Sequence, residues 1–452
     1  MQILSYIKSQ KFIIKLIYLY FFFIMFDGIL RKWMFPSLSG QIMMIKQVIG
    51  IFIFLKGFKH FNVSTAYEKG FFVLGIVLLF TSLLFGHGNF IVAIYGCLPY
   101  WFGLSVCFII YKTIRKEDVL WMSKILIYFF SLNTMLIIIQ FMLPTTHWLN
   151  TTGGEVADNV ADAAIGDLAG AFRPSGIFMH NVMLSSTILF LIPIIFYFLF
   201  VKKDFIKRNI LLIAYFCCWI SSVFAVSRTC VFYCVGATVF SLFIFGFKHI
   251  GKLMNFIIFF IVATVFALST SLGQHALDNM NNRFDNAAAS SSSKKTSTFE
   301  GTINDIYNRN IGYLIDAIVN PKTLDGKSVP FFGYGQGLST QVGGRLYNNG
   351  EMAANSGFAL AEWDGLRIIC ESGTLLGLIV LWFRLAYVFR FLPKLPYFRR
   401  RKMFLSLAIY PSFFFSFYVM FTWGNVTNAN FAYLVGGLFL ATYKYEKMGE
   451  VI

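Results

Sequence analysis

The chain has 452 residues, of which 57% are hydrophobic and only 13% are charged, and its mean hydropathy is +0.68. Soluble proteins are about 25% charged, so this composition excludes an ordinary soluble enzyme or binding domain. The formal net charge of +17 would suggest a nucleic-acid partner in a soluble chain, but in a membrane chain it is typical of basic cytoplasmic loops. We therefore expect the lipid bilayer as a partner and no nucleic acid.

Apolar segments close to the ~20 residues that cross a bilayer as a helix recur along the whole chain. Roughly twelve spans are predicted, at residues 12–30, 41–57, 70–87, 90–111, 122–143, 178–200, 208–226, 229–246, 251–270, 366–389, 402–423 and 428–443. The first lacks a small-residue cleavage site, which favours a retained helix over a signal peptide. The second is weakened by Lys46. The fold class expected is an all-α polytopic membrane protein.

The chain divides into three parts by composition. Residues 1–270 hold the first nine predicted helices, and residues 366–452 hold the last three with a short tail. Between them, residues 271–365 form one large, more polar segment. It contains a low-complexity linker, an amphipathic helix with apolar residues at helical spacing, and a glycine-rich loop.

Lysine and arginine alternate between successive connections. One set of connections and both termini carry most of them, so the positive-inside rule predicts cytoplasmic termini. The short connections "FGHGN" and "WGNVTN" carry none. The pieces predicted on the opposite, external face are residues 26–40, 144–177, 226–229 and 271–365.

Five arginines are predicted on this external face, namely Arg31, Arg173, Arg228, Arg309 and Arg345. Lysine and arginine in external loops are disfavoured by the positive-inside rule, so their presence indicates that they have a function there. The planar guanidinium suits phosphate oxygens, and a lipid-linked diphosphate at the membrane surface would supply the partner. The alternative is that each arginine pairs with a nearby carboxylate. The candidates for that pairing are Glu155, Asp158, Asp162 and Asp167.

Two short stretches add polar candidates to the arginines. In "GYGQG", the backbone amides around Gly333, Tyr334 and Gly335 could approach an anion, although a flexible turn is the competing interpretation. His180 and Asn181 begin the sixth predicted span. His180 could be a catalytic residue, or it could be a hydrogen-bonded histidine at the end of a helix.

The stretch "AEWDGLRIICESG" (361–373) leads into the tenth predicted span. Asp364, Arg367 and Glu371 share one helical face, which favours a structural ion pair over a functional role. Glu362 has no evident local partner, so it is a candidate general base for a sugar hydroxyl. The seven cysteines lie in apolar segments without metal-ligand spacing, and we expect neither a metal ion nor a cofactor.

In this order along the chain, several stretches resemble the Wzy/WaaL superfamily of bacterial O-antigen polymerases and ligases. They are "DGILRKWMFP" (27–36), "RPSGIFMHN" (173–181), "SRT" (227–229), "NRNIGYLIDAIVNP…FFGYGQG" (308–337) and "AEWDGLRIICESGTLLG" (361–377). Each motif is short, but the resemblance covers most of the chain. Family ligases and many polymerases have a histidine–asparagine pair where this sequence has Glu362 and Trp363. That departure favours a polymerase over a lipid A-core ligase.

The resemblance implies a GT-C-like glycosyltransferase of the inner membrane. It would polymerise undecaprenyl-diphosphate-linked oligosaccharide repeat units (O-antigen, capsule or exopolysaccharide) at the periplasmic face, and it leaves open a chain-length regulator as a partner. Arg173 and Arg228 are then expected to act on the diphosphate, and Glu362 on the acceptor hydroxyl. The expected substrate-binding residues are Arg345, Arg309, Arg31, His180, Asn181, Gly333, Gly335 and Tyr334.

Two other functions remain open from the sequence. A ligase that transfers the glycan to another acceptor needs the same donor site. A flippase for the lipid-linked oligosaccharide would need cations lining a path through the membrane, whereas the predicted spans are nearly free of charge at mid-depth. We therefore expect an enzyme rather than a transporter.

Overall fold

The computed structural model describes residues 10–58, 66–98, 103–144, 146–150, 173–245, 328–338, 364–418 and 426–449, and a few single residues elsewhere. Within these regions every regular element is helical, apart from one isolated bridge between Lys322 and Ser328. The expectation of an all-α chain is confirmed for this part of the protein.

Fourteen named helices follow one another in the described regions. They are α1 Phe12–Ile29, α2 Ser39–Gly57, α3 Ala66–Leu84, α4 Phe90–Leu98, α5 Leu104–Thr113, α6 Lys116–Met142, α7 Asn181–Phe200, α8 Arg208–Phe224, α9 Arg228–Phe245, α10 Asp364–Ser372, α11 Thr374–Phe389, α12 Leu395–Arg400, α13 Phe404–Tyr418 and α14 Val426–Lys447. A π-helical turn, Leu30–Met34, and a 3-10 turn, Pro36–Leu38, connect α1 to α2. A third short turn, Leu392–Lys394, precedes α12.

Six helical segments of the described chain are long and apolar enough to cross a membrane. They are Phe12–Met34, Pro36–Gly57, Lys116–Met142, Asn181–Phe200, Arg228–Phe245 and Thr374–Arg400. Four further apolar helices are shorter, at Lys69–Leu84, Leu104–Thr113, Arg208–Phe224 and Phe404–Phe417. These lengths and compositions are those of an all-α membrane protein.

Two of the predicted spans contain more than one named helix in the structure. The apolar run 90–111 contains α4 and α5, and the described residues between them, Trp101 and Gly103, are π-helical. The run 366–389 is broken at Gly373, whose φ of 78° is a left-handed conformation that ends α10 before α11 begins. Hydropathy alone does not reveal such a break because it records the apolar character of the side chains and not the conformation of the backbone. Of the predicted span 251–270, residues 251–268 lie outside the described residues.

Helix α7 lies at the centre of the bundle. It packs against α6, α8, α9 and α13, and nearly all its side chains are buried. Its polar residues Ser185, Ser186 and Thr187 donate hydrogen bonds of 2.8, 2.7 and 2.8 Å to carbonyls four residues earlier, so their hydroxyls are satisfied within the helix. Because other helices surround α7, its first and last residues lie near the centre of the two ends of the bundle.

At one end of the bundle lie connections that are rich in lysine and arginine, and we call it the basic end. Glu446 near the end of α14 lies 3.8 Å from Lys116 at the start of α6, and it accepts amide hydrogen bonds of 3.1 and 2.9 Å from Leu405 and Ser406 in α13. Phe404, which begins α13, contacts the last residue of α9. The last residues of α7 and α9 and the first residue of α13 thus lie together at the end of the bundle opposite to the start of α7.

Candidate functional site

The starts of α7 and α9 lie side by side at the opposite end of the bundle. The Asn181 side-chain amide donates hydrogen bonds of 3.4 Å to the carbonyls of both Arg173 and Ala225. One turn further along, the hydroxyl of Ser185 lies 2.9 Å from the Cys230 thiol. The two helices therefore run in the same direction with their N-termini together.

Arg173 connects these two helix starts. Its Nη2 donates a 3.4 Å hydrogen bond to the hydroxyl of Ser227, the residue before the first residue of α9, Arg228. Both arginines are half-buried. We call Arg173, His180, Asn181, Ser227 and Arg228 the helix-start junction. It combines residues that are more than forty positions apart in the sequence.

The electrostatics of the junction favour an anion. Each helix N-terminus carries about half a positive charge, and a cation there costs roughly 0.3–1 kcal/mol. Arg228 occupies the first position of α9, and the His180 side chain does not cap the first amides of α7. An anion at two parallel helix starts would bind amide groups and guanidinium groups at once.

The turn that presents Arg228 is strained. Val226 is buried and has a φ of 46°, in the left-handed region that β-branched residues rarely adopt. Such a conformation costs about 1–3 kcal/mol and persists only where the surroundings enforce it. Valine is not a turn residue, so the sequence carried no signal for this conformation.

Lys32 ties the connection after α1 to the segment before α7. Its ammonium group donates hydrogen bonds to the hydroxyl of Ser175 at 2.8 Å, to the carbonyl of Gly176 at 3.3 Å and to the carbonyl of Phe178. The stretches "DGILRKWMFP" and "RPSGIFMHN" are therefore in direct contact. Their predicted placement on one face of the bundle agrees with this contact.

Helix α6 supports the same segment from the other side. Asn133 accepts a 2.7 Å hydrogen bond from the amide of Ile177, and Gln140 accepts one of 2.9 Å from the amide of Gly176. Gly176 has a φ of 62°, and a Cβ atom there would lie 2.0 Å from the side-chain oxygen of Asn133. Only glycine fits this close approach.

Arg31 lies in a different environment from Arg173 and Arg228. It is buried, lies 3.6 Å from the Asp27 carboxylate and donates a 3.0 Å hydrogen bond to the hydroxyl of Ser39. The alternative of pairing with a carboxylate therefore holds for Arg31, with Asp27 as the partner. The acids considered from the sequence, at positions 155–167, lie outside the described residues.

Asp27 is the centre of a buried ion group that the sequence did not suggest. Lys46, which is fully buried, donates to Asp27 and, at 2.7 Å, to the hydroxyl of Thr427, which itself donates to Asp27 at 3.2 Å. We call Asp27, Arg31, Lys46 and Thr427 the buried ion group; it joins α1, α2 and α14. The sequence did contain a signal for this group. Asp27 and Lys46 lie in neighbouring apolar segments, and opposite charges inside a membrane protein are expected to pair.

His180, a member of the helix-start junction, lies immediately before the span Asn181–Phe200. Burial, followed by the positive charges of Arg31 and Lys32, lowers its pKa from the usual 6.5 to about 3. The imidazole is therefore neutral at physiological pH. His180 directly precedes the first residue of α7, and its ring forms no cap hydrogen bond with that helix.

The glycine loop, residues 330–338, is docked onto the helices. The amides of Tyr334 and Gly335 donate to the carbonyls of Cys370 and Glu371 at 2.8 and 3.0 Å, and the amide of Gln336 donates to the hydroxyl of Ser82 at 2.8 Å. These three amides already donate to protein groups. They are therefore not available to bind an anion, in contrast to the expectation from the sequence.

Close backbone packing explains the glycines in this loop. A Cβ on Gly333 would lie 2.4 Å from the carbonyl oxygen of Glu371, and one on Gly335 would lie 2.5 Å from the ring of His87. His87 also bonds the Gln336 carbonyl at 3.0 Å. The contacts fasten the loop to the α3–α4 connection and to the junction of α10 with α11, so it is not the flexible turn that its composition suggested.

The remaining predicted site residues Arg309, Arg345 and Glu362 lie outside the described residues. The expectation of spans nearly free of charge needs correction. Besides Lys46, Arg384 is buried within the span Thr374–Arg400, where its Nε donates to the carbonyl of Phe417. Buried charges in spans are functional or structural by default, so the argument against a transporter loses strength.

In the part of the chain that the structure describes, no three His, Cys, Asp or Glu side chains come together as metal ligands. The described cysteines are all free thiols, and they lie within or beside apolar helices. Comparison of the chain with protein-family models, curated proteins and solved structures finds no significant match. The family resemblance therefore stays a prediction that rests on the sequence motifs.

Proposed function

We propose that the protein is a polytopic glycosyltransferase, with about twelve spans and a GT-C-like fold, that polymerises oligosaccharide repeat units carried on undecaprenyl diphosphate. The reaction would take place at the periplasmic face of the bacterial inner membrane, with both termini in the cytoplasm. The activated bond is that between the sugar and the lipid diphosphate, which needs no nucleotide. The proposal combines the ordered sequence motifs with the helix-start junction.

The observation that carries the proposal is the meeting of two parallel helix starts with Arg173 and Arg228. Two N-terminal dipoles and two guanidinium groups suit a ligand with two adjacent negative charges. As the glycosidic bond breaks, negative charge grows on the leaving diphosphate. Preorganised donors at that place stabilise the transition state more than the ground state.

Other residues receive more limited roles in this proposal. Neutral His180 and the amide of Asn181 border the diphosphate position. Arg345 and Arg309 would complete the binding of the donor, and Glu362 would accept the proton of the acceptor hydroxyl as the new glycosidic bond forms. Arg31 is left out of direct binding because it is buried and contacts Asp27 and Ser39. Gly333, Tyr334 and Gly335 would shape the site through their docking rather than through free amides.

A ligase that transfers the glycan to a different acceptor would use the same donor site. A flippase gains support from the buried Lys46 and Arg384. Both residues, however, bond to protein groups, Lys46 to Asp27 and Thr427 and Arg384 to a backbone carbonyl. Those contacts favour structural roles over a path for a diphosphate.

The test is incubation of the purified protein with lipid-linked repeat units, followed by gel analysis of the glycan. A ladder of lengthened products supports the polymerase, and transfer only to an added acceptor supports the ligase. Movement of the lipid-linked sugar across liposomes without lengthening would refute the enzyme. Arg228→Lys keeps the charge and loses the planar fork, so we expect a loss of about tenfold or more in rate. Undiminished turnover would remove Arg228 from the mechanism.

A further inference from the structure

One face of α6 carries a continuous stripe of apolar side chains. Its members recur every three or four residues and most are exposed, namely Trp121, Ile125, Tyr128, Leu132, Met135, Ile139 and Met142. At 1.5 Å per residue the stripe is roughly 31 Å long, which matches the ~30 Å hydrocarbon thickness of a bilayer. The stripe is therefore the lipid-facing side of α6, and Trp121 lies at the level of one headgroup layer.

A cavity of about 170 Å³ opens beside Trp121 at the basic end of the bundle. It lies between the start of α6, the end of α7 and the turn that follows α7. The side chains of Tyr197 and Phe205 form its apolar wall with Trp121, and those of Lys116 and Lys202 supply its positive groups. Tyrosine and tryptophan concentrate at membrane interfaces because one side of each ring is apolar and the other polar.

The walls of this cavity are held in place by contacts around Lys124. Its ammonium group lies 4.9 Å from the ring centres of both Trp121 and Phe205, and it donates a 3.3 Å hydrogen bond to the carbonyl of Phe205. The two rings are 5.3 Å apart in an edge-to-face arrangement. The cavity is thus formed before any ligand binds.

The charges around the cavity favour an anion at its polar rim. Lys116 lies 3.8 Å from Glu446 and so adds little net charge, whereas Glu117, which also lines the cavity, adds one negative charge. Lys202 is half-buried at the rim, and Lys124 adds a second positive charge behind the aromatic wall. An apolar cavity at headgroup level with lysine at its rim matches an anionic lipid.

We propose that this cavity binds the headgroup of an anionic glycerophospholipid. The Lys202 ammonium contacts the phosphate, and the rings of Trp121, Tyr197 and Phe205 pack against the glycerol and the first part of an acyl chain. The acyl chain continues along the exposed stripe of α6. This site lies at the end of the bundle opposite to the helix-start junction, and it does not depend on the proposed function.

The test is native mass spectrometry of the detergent-purified full-length protein, titrated separately with phosphatidylglycerol and with phosphatidylcholine of the same acyl chains. We expect the first phosphatidylglycerol to bind about fivefold more tightly than phosphatidylcholine, which is the contribution of one lysine at a membrane surface. Lys202→Gln should abolish this preference, and Lys202→Arg should retain it.

The matched control is Lys203→Gln, which removes the same charge from the adjacent, exposed position outside the cavity. We expect it to leave the preference unchanged. Equal binding of the two lipids by the unaltered protein would overturn the proposal, as would an equal loss in the Lys203 variant. The melting temperature in lipid-free detergent, expected to be the same in all variants, separates loss of the site from loss of the fold.

Discussion

Two groups of cations lie close together at one end of the bundle, and they are held in opposite ways. In the buried ion group, Lys46 and Arg31 share the carboxylate of Asp27 inside the protein. In the helix-start junction, Arg173 and Arg228 are half-buried beside two positive helix termini. The first arrangement stabilises the fold, and the second makes the site receptive to an anion. Position on one face is therefore not enough to assign an arginine to a ligand.

The largest effect on stability is expected from Asp27→Ala. The substitution leaves the fully buried Lys46 without its counter-ion, which costs about 3–5 kcal/mol of unfolding free energy. Thermal unfolding in detergent should show a much lower midpoint. The double variant Asp27→Ala with Lys46→Met also removes the buried lysine and leaves only Arg31 without its partner, so it should recover part of the loss. If the double variant is no more stable than the single one, the pair does not carry this energy.

The segment that presents Arg173 should be the next most sensitive. Gly176→Ala combines an unfavourable φ with a Cβ that lies 2.0 Å from the side-chain oxygen of Asn133, so we expect a loss of about 3 kcal/mol. Gly88→Ala is the control. Gly88 has a similar φ of 71°, but its nearest neighbour lies 3.8 Å away, so only about 1 kcal/mol should be lost. Equal losses in unfolding experiments would contradict the close contact at position 176.

A smaller, pH-dependent effect is expected from His180. Its pKa in the folded protein, about 3, is below the usual value of 6.5, so the unfolded chain binds this proton first. The stabilising contribution is complete above pH 6.5 and is lost as the pH falls towards 3. His180→Gln does not titrate, so its melting temperature should fall less steeply over that range. Parallel curves for the two proteins would indicate that the histidine titrates normally.

The smallest change in stability is expected from Arg228→Gln, although its effect on function should be large. A cation at a helix N-terminus costs about 0.3–1 kcal/mol, and relief of this cost should offset the contacts that are lost, so the unfolding free energy should change little. Polymer synthesis should fall by about 10² or more, because a preorganised donor is lost. Arg31→Gln is the matched control. It should lower the unfolding free energy, because the contact with Asp27 is lost. A large destabilisation by Arg228→Gln would place that arginine with the structural group.

The sequence allowed part of this site to be predicted. The sequence singled out the stretches around Arg173, Asn181 and Arg228, and contacts of Lys32 and Asn181 bring these stretches together in the structure. The pairing of Arg31 with Asp27 was not predictable from local spacing, because the deciding partners Lys46 and Thr427 come from other helices. Similarly, composition suggested a flexible glycine loop, whereas its amides bond to residues of α3 and α10.

The amino-acid sequence by itself determined the helical class, the membrane environment and the segregation of basic connections. Those properties follow from local hydropathy and charge, which each segment carries whatever its neighbours are. Tertiary structure alone decided which cations share the carboxylate of Asp27, where the apolar runs break, and which two helix starts meet. These outcomes depend on atoms that are distant in the chain and approach within a few ångströms only after the helices have packed.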